Sequence, residues 1–193
     1  MIRRLALSAL ILLLVLGHAA EAAADAATDN KQALVLVRVL AYDRNVTKRA
    51  GRQVVIGVVR DDSDPVSRRA ASAMAYALRA VSKELTVAGR PIAVVELAAG
   101  ELLGDRLRDL EVTAIYLAIG LEGELDQITA AARARPCLTF SDRPAYLRHG
   151  LAVVLGTDVQ KKRITIQIDL TAATAQGAKL AAELLRVAEI VKR

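Results

Sequence analysis

Three short clusters hold most of the residues that could do chemistry in this 193-residue chain. Ser141 and Asp142 lie a few positions before His149, the residue types that a nucleophile and its general base require. Yet Ser141-Asp142-Arg143-Pro144 is equally an ordinary turn and helix start, which calls for no reaction. Asp61, Asp62 and Asp64 could gather a cation through their carboxylates. Ser63 and Pro65 make the same segment a ready turn and helix cap. Cys137 is the single cysteine, so no intramolecular disulfide can form, and between Pro136 and Leu138 it reads as a small core residue. Asn45-Val46-Thr47 matches a glycosylation sequon, a motif short enough to recur by chance.

Little else could supply a reaction. Of the two histidines, His18 sits in an N-terminal apolar leader, which leaves His149 alone and rules out a two-histidine metal site in the processed chain. There is no glycine-rich phosphate loop, no His-Glu-x-x-His and no cysteine pair. The expectation is a protein that is not an enzyme, with no catalytic residue, no metal ligand and no cofactor.

The leader has the three parts of a secretory signal in order: Arg3 and Arg4, an apolar stretch from Leu5 to Leu16, then small residues. The stretch is shorter than the roughly 20 residues a membrane-spanning helix needs. Cleavage is expected after Ala22, and any cut from Ala19 to Ala24 fits the small-residue pattern. With no cysteine at that boundary to carry a lipid, residues 23–193 are expected to be released into the periplasm. About 170 residues suit one domain with its own core. The net charge of +6 favours acidic partners or anionic surfaces. Nucleic acid is not expected, because the aromatic residues are few and scattered. The basic run Gln160-Lys161-Lys162-Arg163 reads as a solvated hairpin turn.

These residues must be positioned by elements that the spacing of apolar residues outlines. Residues 23–28 form a leader without apolar period. From Asn30 to Tyr42 the apolar positions follow helical spacing but continue almost all round, so such a helix must be sandwiched in the core or covered by another protein. Its β-branched content leaves a strand open as the alternative. Gln53 to Val59 reads as a buried strand and Asp64-Pro65 as the cap and first position of a helix whose stripe is Met74, Ala77, Leu78 and Val81. Strands follow at Pro91–Leu97, Val112–Ile119 and Leu138–Phe140, with helices at Glu101–Leu110 and Glu122–Ala134 between them. This alternation predicts a three-layer α/β/α sandwich with a mostly parallel central sheet. Leu151–Leu155 and Arg163–Asp169 then form an antiparallel hairpin, expected at the sheet's edge because Ile164, Ile166 and Ile168 alternate with polar residues. An Ala-rich helix from Thr171 to Val191, with a break at Gly177, closes the domain over 29–193.

The segment Pro136 to Val191 resembles the YfiR/HmsC family of periplasmic regulators. The resemblance is carried by Leu138-Thr139-Phe140-Ser141-Asp142, His149-Gly150, Leu151-Ala152-Val153-Val154-Leu155 and Arg163-Ile164-Thr165-Ile166-Gln167-Ile168-Asp169-Leu170. Gly177-Ala178-Lys179-Leu180 and Leu184-Leu185-Arg186-Val187-Ala188 extend it, and Lys31 to Tyr42 is similar to the family's first helix. The resemblance implies a compact α/β sandwich that binds and restrains the periplasmic domain of an inner-membrane diguanylate cyclase, until an outer-membrane or cell-envelope partner removes it. This sequence lacks the family's cysteine pairs, has Asp169 where asparagine is common, and ends its first helix without an aromatic-Pro pair. The expected partner contacts are Leu36, Leu40 and Tyr42 on the first helix, Phe140, and Ile166 and Ile168 on the hairpin; a homodimer is compatible with this reading. The alternative is a small-ligand-binding periplasmic module serving a transporter or sensor, with its site at the carboxyl ends of the parallel strands, after Val59 and along Ser141 to Tyr146.

Overall fold

The computed structural model describes residues 26–100, 103–158, 160–161 and 163–191; the signal sequence expected over 1–22 lies outside them. Residues 26–41 form the first helix, α1, so the helical reading of 30–42 holds over the strand alternative, and residues 26–28 of the expected leader belong to the helix. α2 follows at Val46–Arg49.

β1 (Val54–Arg60) is buried along nearly its whole length, as a central parallel strand must be. Asp64 then accepts a hydrogen bond from Val66 N, with Pro65 in the first turn, and starts α3 at Pro65–Val81. The pairing works because Asp64 satisfies a free N–H and Pro65 has none to satisfy. Met74, Ala77 and Leu78 are buried as the stripe predicts. A tight turn at Ala88 and Gly89, both with positive φ, is closed by two bonds between Val87 and Arg90 and delivers the chain to β2 (Ile92–Ala98). α4 (Leu103–Asp109), β3 (Val112–Leu117), α5 (Leu125–Ala134) and β4 (Leu138–Ser141) continue the alternation. A 3₁₀ helix at Pro144–His149 leads to β5 (Val153–Asp158) and β6 (Arg163–Ile168).

The sheet has seven strands in the order β2-β1-β3-β4-β5-β6-β7, where β7 is Glu189–Ile190. All neighbours pair in parallel except the β5–β6 hairpin. Alternation of side chains splits the core in two. Val54, Ile56, Val58, Tyr116, Phe140 and Leu155 pack beneath α1, α3 and the C-terminal helices. On the opposite face Val55, Val59, Ile115, Leu117 and Val154 pack against α4, α5 and the 3₁₀ helix. The three-layer sandwich is therefore the observed architecture. Among the described residues no helix is long and apolar enough to cross a membrane.

Two expectations about the last third need correction. The closing segment breaks at Gly177 as expected, but helix does not fill the rest of it: α6 spans Leu170–Ala175 and α7 only Ala182–Leu185. Gly177 at φ +78 turns the chain, and a Cβ there would lie 2.9 Å from Pro136 Cβ, so only glycine fits. The strap that follows pairs Leu180 with Asp43 as an isolated antiparallel bridge. Second, β6 is not the outermost strand, because β7 pairs beside Gln167 and Ile168. Asp169 is no strand residue; its carboxylate caps α6 by accepting from Ala172 N at 2.9 Å.

Candidate functional site

The first candidate cluster is structural. Ser141 is fully buried; its hydroxyl donates to Leu117 O at 2.8 Å and accepts from Arg143 N at 3.2 Å. That fixes the turn after β4 to the end of β3 and leaves the oxygen engaged with two backbone groups. His149 is partly exposed and holds Asp126 through Nδ1 at 3.0 Å, so the two residues are not brought together as nucleophile and base. The aspartate cluster is likewise spent on local contacts, with Asp62 paired to Arg60 at 2.8 Å and Asp64 capping α3. Asp61 accepts from Ser63 N and Ser63 Oγ, both at 2.7 Å. These bonds hold its carboxyl below the usual carboxylate range, with the Ser63 hydroxyl the largest cause.

The crevice between the carboxyl ends of β1 and β3, where the strand order reverses, is the usual ligand position in such sheets. Here it is closed. A Cβ on Gly120 (φ +89) would lie 2.7 Å from Asp64 Oδ2 and 3.4 Å from Ser67 Cβ, so the loops after β1 and β3 pack directly on each other. Ser67 Oγ accepts from Asp61 N at 3.0 Å beneath them.

An open cleft of about 560 Å³ lies to one side, between the start of α1 and α3, with Asp29, Gln32, Val66, Arg69, Asp142 and Thr157 on its walls. Its depth follows from composition, since α3 offers Ala70 and Ala73 to this seam. Gln32 anchors the helix by donating from Nε2 to Leu155 O at 3.0 Å. Tyr116 is buried nearby, and burial first, then the Asp142 charge, pushes its phenol well up. The cleft thus joins carboxylates, a guanidinium and an apolar wall. A groove of about 470 Å³ continues between α1 and the C-terminal half of α3, along Leu34, Arg38, Val81 and Glu84.

The expected partner contacts divide sharply. Leu36, Leu40, Phe140 and Ile168 are fully buried in the core, so in this conformation they support a surface and cannot touch a partner. Tyr42 is 45% exposed and Ile166 is half-buried against the core. α1 resolves its all-round apolar pattern by being sandwiched: the sheet, α3 and the C-terminal segment cover it, and Lys31, Arg38, Ala41 and Tyr42 face water. Further exposed apolar side chains are Val66, Tyr76 and Val187.

A buried polar cluster at the end of α1 escaped the sequence reading. Asp43 pairs with Arg49 at 2.5 Å, and both side chains are almost wholly buried. Asp43 also accepts from Asn45 N at 2.9 Å and from Lys179 N at 2.8 Å. Asn45, the sequon asparagine, donates from Nδ2 to Gly177 O at 3.1 Å. Together they tie Tyr42, the exposed end of α1, to the strap, where Ala181 N donates to Tyr42 O at 2.9 Å. A second network runs through fully buried Gln176, which accepts from Thr139 N at 2.9 Å and donates to Gly150 O at 3.0 Å. The available signal was Gln176, a lone amide within an Ala-rich stretch; Asp43, at the head of the polar run Asp43-Arg44-Asn45, looks like any helix-ending turn residue. Cys137 is buried, and burial pushes its thiol up to about 12.

The sequence pattern of the YfiR/HmsC-like family matches residues 29–189. Among solved structures, a conserved domain protein from Vibrio cholerae O1 biovar El Tor str. N16961 is similar at 19% identity and a TM-score of 0.49, over 72% of this chain and 54% of that one. An ABC domain in complex with L-Trp from Streptococcus pneumoniae aligns at 11% identity and a TM-score of 0.53, over 79% and 60%. A ligand-free, open substrate binding protein with adhesive properties from Clostridium difficile aligns at 12% and 0.53, over 77% and 57%. The chain spans less than two thirds of each of these structures, and the latter two share its fold alone. No curated protein matches it.

Proposed function

We propose that this chain, which belongs to the YfiR/HmsC-like family, is a periplasmic regulator that binds and restrains the periplasmic domain of an inner-membrane signalling protein, a diguanylate cyclase. The observation that carries the reading is the family match over residues 29–189, which takes in every layer of the fold. The geometry supports it with Tyr42, an exposed aromatic residue braced by the strap through Ala181. A rigid aromatic side chain on a braced backbone is the kind of group that anchors protein interfaces. Ile166, on the open stretch of β6 beyond β7, lies in a second accessible region. An outer-membrane or cell-envelope partner would then compete for the same surface.

Retention of solubilised inner-membrane proteins on the immobilised mature chain tests this. A membrane protein with a cytoplasmic cyclase domain is expected in the retained fraction, and Tyr42→Ala is expected to weaken its retention about tenfold. Recovery of no sensor or cyclase would count decisively against the reading. A small-ligand module is the second reading, favoured by the cleft beside Asp142 and Arg69. Its size falls within the range of small-molecule sites. A metabolite panel read by thermal shift decides it, since a ligand at a hundredfold its Kd adds about 2.7 kcal/mol of stability.

A further inference from the structure

Charge is distributed unevenly along the strand direction. β1, β2, β3 and β4 all start at the same end of the sheet, and the segments that lead into them are basic. Arg44, Lys48 and Arg52 run through α2 toward β1, Arg90 closes the turn before β2, and Lys179 lies on the strap. At the other end, where these strands finish, the charge is mixed: Asp61, Asp62, Glu122 and Asp142 stand among Arg60 and Arg143.

Backbone contacts gather the bases into one patch. Arg44 N donates to Lys179 O at 3.0 Å, which sets these two residues side by side. Arg90 Nη1 donates to Thr47 O at 3.1 Å and also to Ala50 O, so the turn before β2 rests on the end of α2, next to Lys48. Arg44, Lys48, Arg52 and Lys179 are exposed, and among the described residues none of them forms an ion pair. The nearby acids are engaged elsewhere or lie to the side. Asp43 is spent on buried Arg49, Asp109 lies 3.7 Å from Arg108, Glu111 leans over Gly51, and Glu183 stands in the first turn of α7.

We propose that this basic end docks the protein on the anionic phospholipid surface of a membrane, with Arg44, Lys48, Arg52, Arg90 and Lys179 against lipid phosphates. Unpaired, exposed like charges repel one another, and an anionic surface relieves that repulsion. The bases do not converge on a single small anion: the cleft of about 380 Å³ beside them is lined by Lys179 and by none of the others. A protein interface is built on an apolar centre from which charges are depleted, whereas here charges fill the patch. Tyr42 is exposed and its carbonyl is held by Ala181 N, two positions beyond Lys179. Docking therefore brings to the headgroups a residue type enriched at membrane–water interfaces. The docking needs no membrane protein, so it stands apart from the regulatory reading.

Co-sedimentation of the mature chain with lipid vesicles tests it. Vesicles of phosphatidylethanolamine and phosphatidylglycerol should carry the protein down at low salt, and vesicles of phosphatidylcholine alone should not. Raising the salt from about 0.02 M to about 0.5 M should release it. Each base near an anionic surface contributes about fivefold in affinity, so Arg44→Ser/Lys48→Ser should weaken binding about thirtyfold. Arg52→Ser/Lys179→Ser should do likewise and decides the matter should the first pair fail to fold. Arg68→Ser/Lys161→Ser removes equal charge at the opposite end and should weaken binding less than about threefold. Equal losses from the two ends, patch variants that bind as wild type does, equal binding to phosphatidylcholine, or release by inorganic phosphate at constant ionic strength would each overturn the proposal. So would a protein that stays in solution beside anionic vesicles at low salt, even one that retains an acidic membrane protein.

Discussion

Replacing Asp43 by alanine tests how the end of α1 is joined to the C-terminal strap. Its carboxylate is completely buried, the Arg49 side chain is 6% exposed, and they meet at 2.5 Å. Arg49 Nε and Nη1 are buried without another hydrogen-bond partner, so the guanidinium depends on Asp43 for compensation. Removing one member of a buried pair costs about 3–5 kcal/mol. The amides of Asn45 and Lys179 would lose their acceptor as well, although water can reach these partly buried groups. A loss of about 4 kcal/mol is expected, a large share of a domain's total stability. With a slope of about 2 kcal/mol per molar urea, the unfolding midpoint falls by about 2 M. The double variant Asp43→Ala/Arg49→Met removes both charges and is expected to recover about 2 kcal/mol relative to the sum of the single losses. Hydrogen exchange at Lys179 and Ala181 should accelerate in the single variant. An Asp43→Ala loss below about 1 kcal/mol, or single effects that simply add, would refute the assignment of this pair as the clamp.

Four further outcomes follow, two from buried groups and two from a turn and a helix cap. Gln176→Leu strands Thr139 N and Gly150 O inside the core and is expected to cost about 2–3 kcal/mol in urea unfolding. Gly177→Ala forces a side chain into positive φ against Pro136 and should cost about 2 kcal/mol, while Asp64→Ala loses only a helix cap and should cost about 1 kcal/mol. Cys137 has its thiol pushed from 9.0 to about 12 by burial, so the native protein should resist Ellman's reagent at pH 8 and react only as it unfolds. Because the folded value is the higher one, this group's contribution is complete below pH 9 and disappears as pH rises toward 12, which alkaline urea titrations of wild type and Cys137→Ala can compare.

Much of the candidate site was legible as types and little of it as geometry. Tyr42 could be placed at the end of α1 because the apolar run stops there, at Asp43-Arg44-Asn45. Leu36, Leu40, Phe140 and Ile168 look identical to surface anchors in sequence, since an apolar side chain carries no mark of which neighbour will bury it. The cleft beside Asp142 is formed by α1 and α3, segments about 40 positions apart in the chain, and no local spacing reports that they lie side by side.

The sequence by itself determined the layers of this protein. Runs such as Val54–Val59 and Val112–Leu117, punctuated by Asp64-Pro65 and Gly89, specify strand and helix through contacts among near neighbours, and their alternation leaves a parallel sheet as the economical arrangement. Only the tertiary structure decided the ending. Beyond the break that Gly177 announces, residues 178–191 have the composition to resume a long helix, yet Gly177 meets Pro136 and Lys179 N finds the Asp43 carboxylate 136 residues away. Val191 N finds Ile168 O beyond them. Local propensity contributes a few tenths of a kcal/mol per residue, whereas a buried charge left without its partners costs several, so the distant contacts set the shape of residues 176–191.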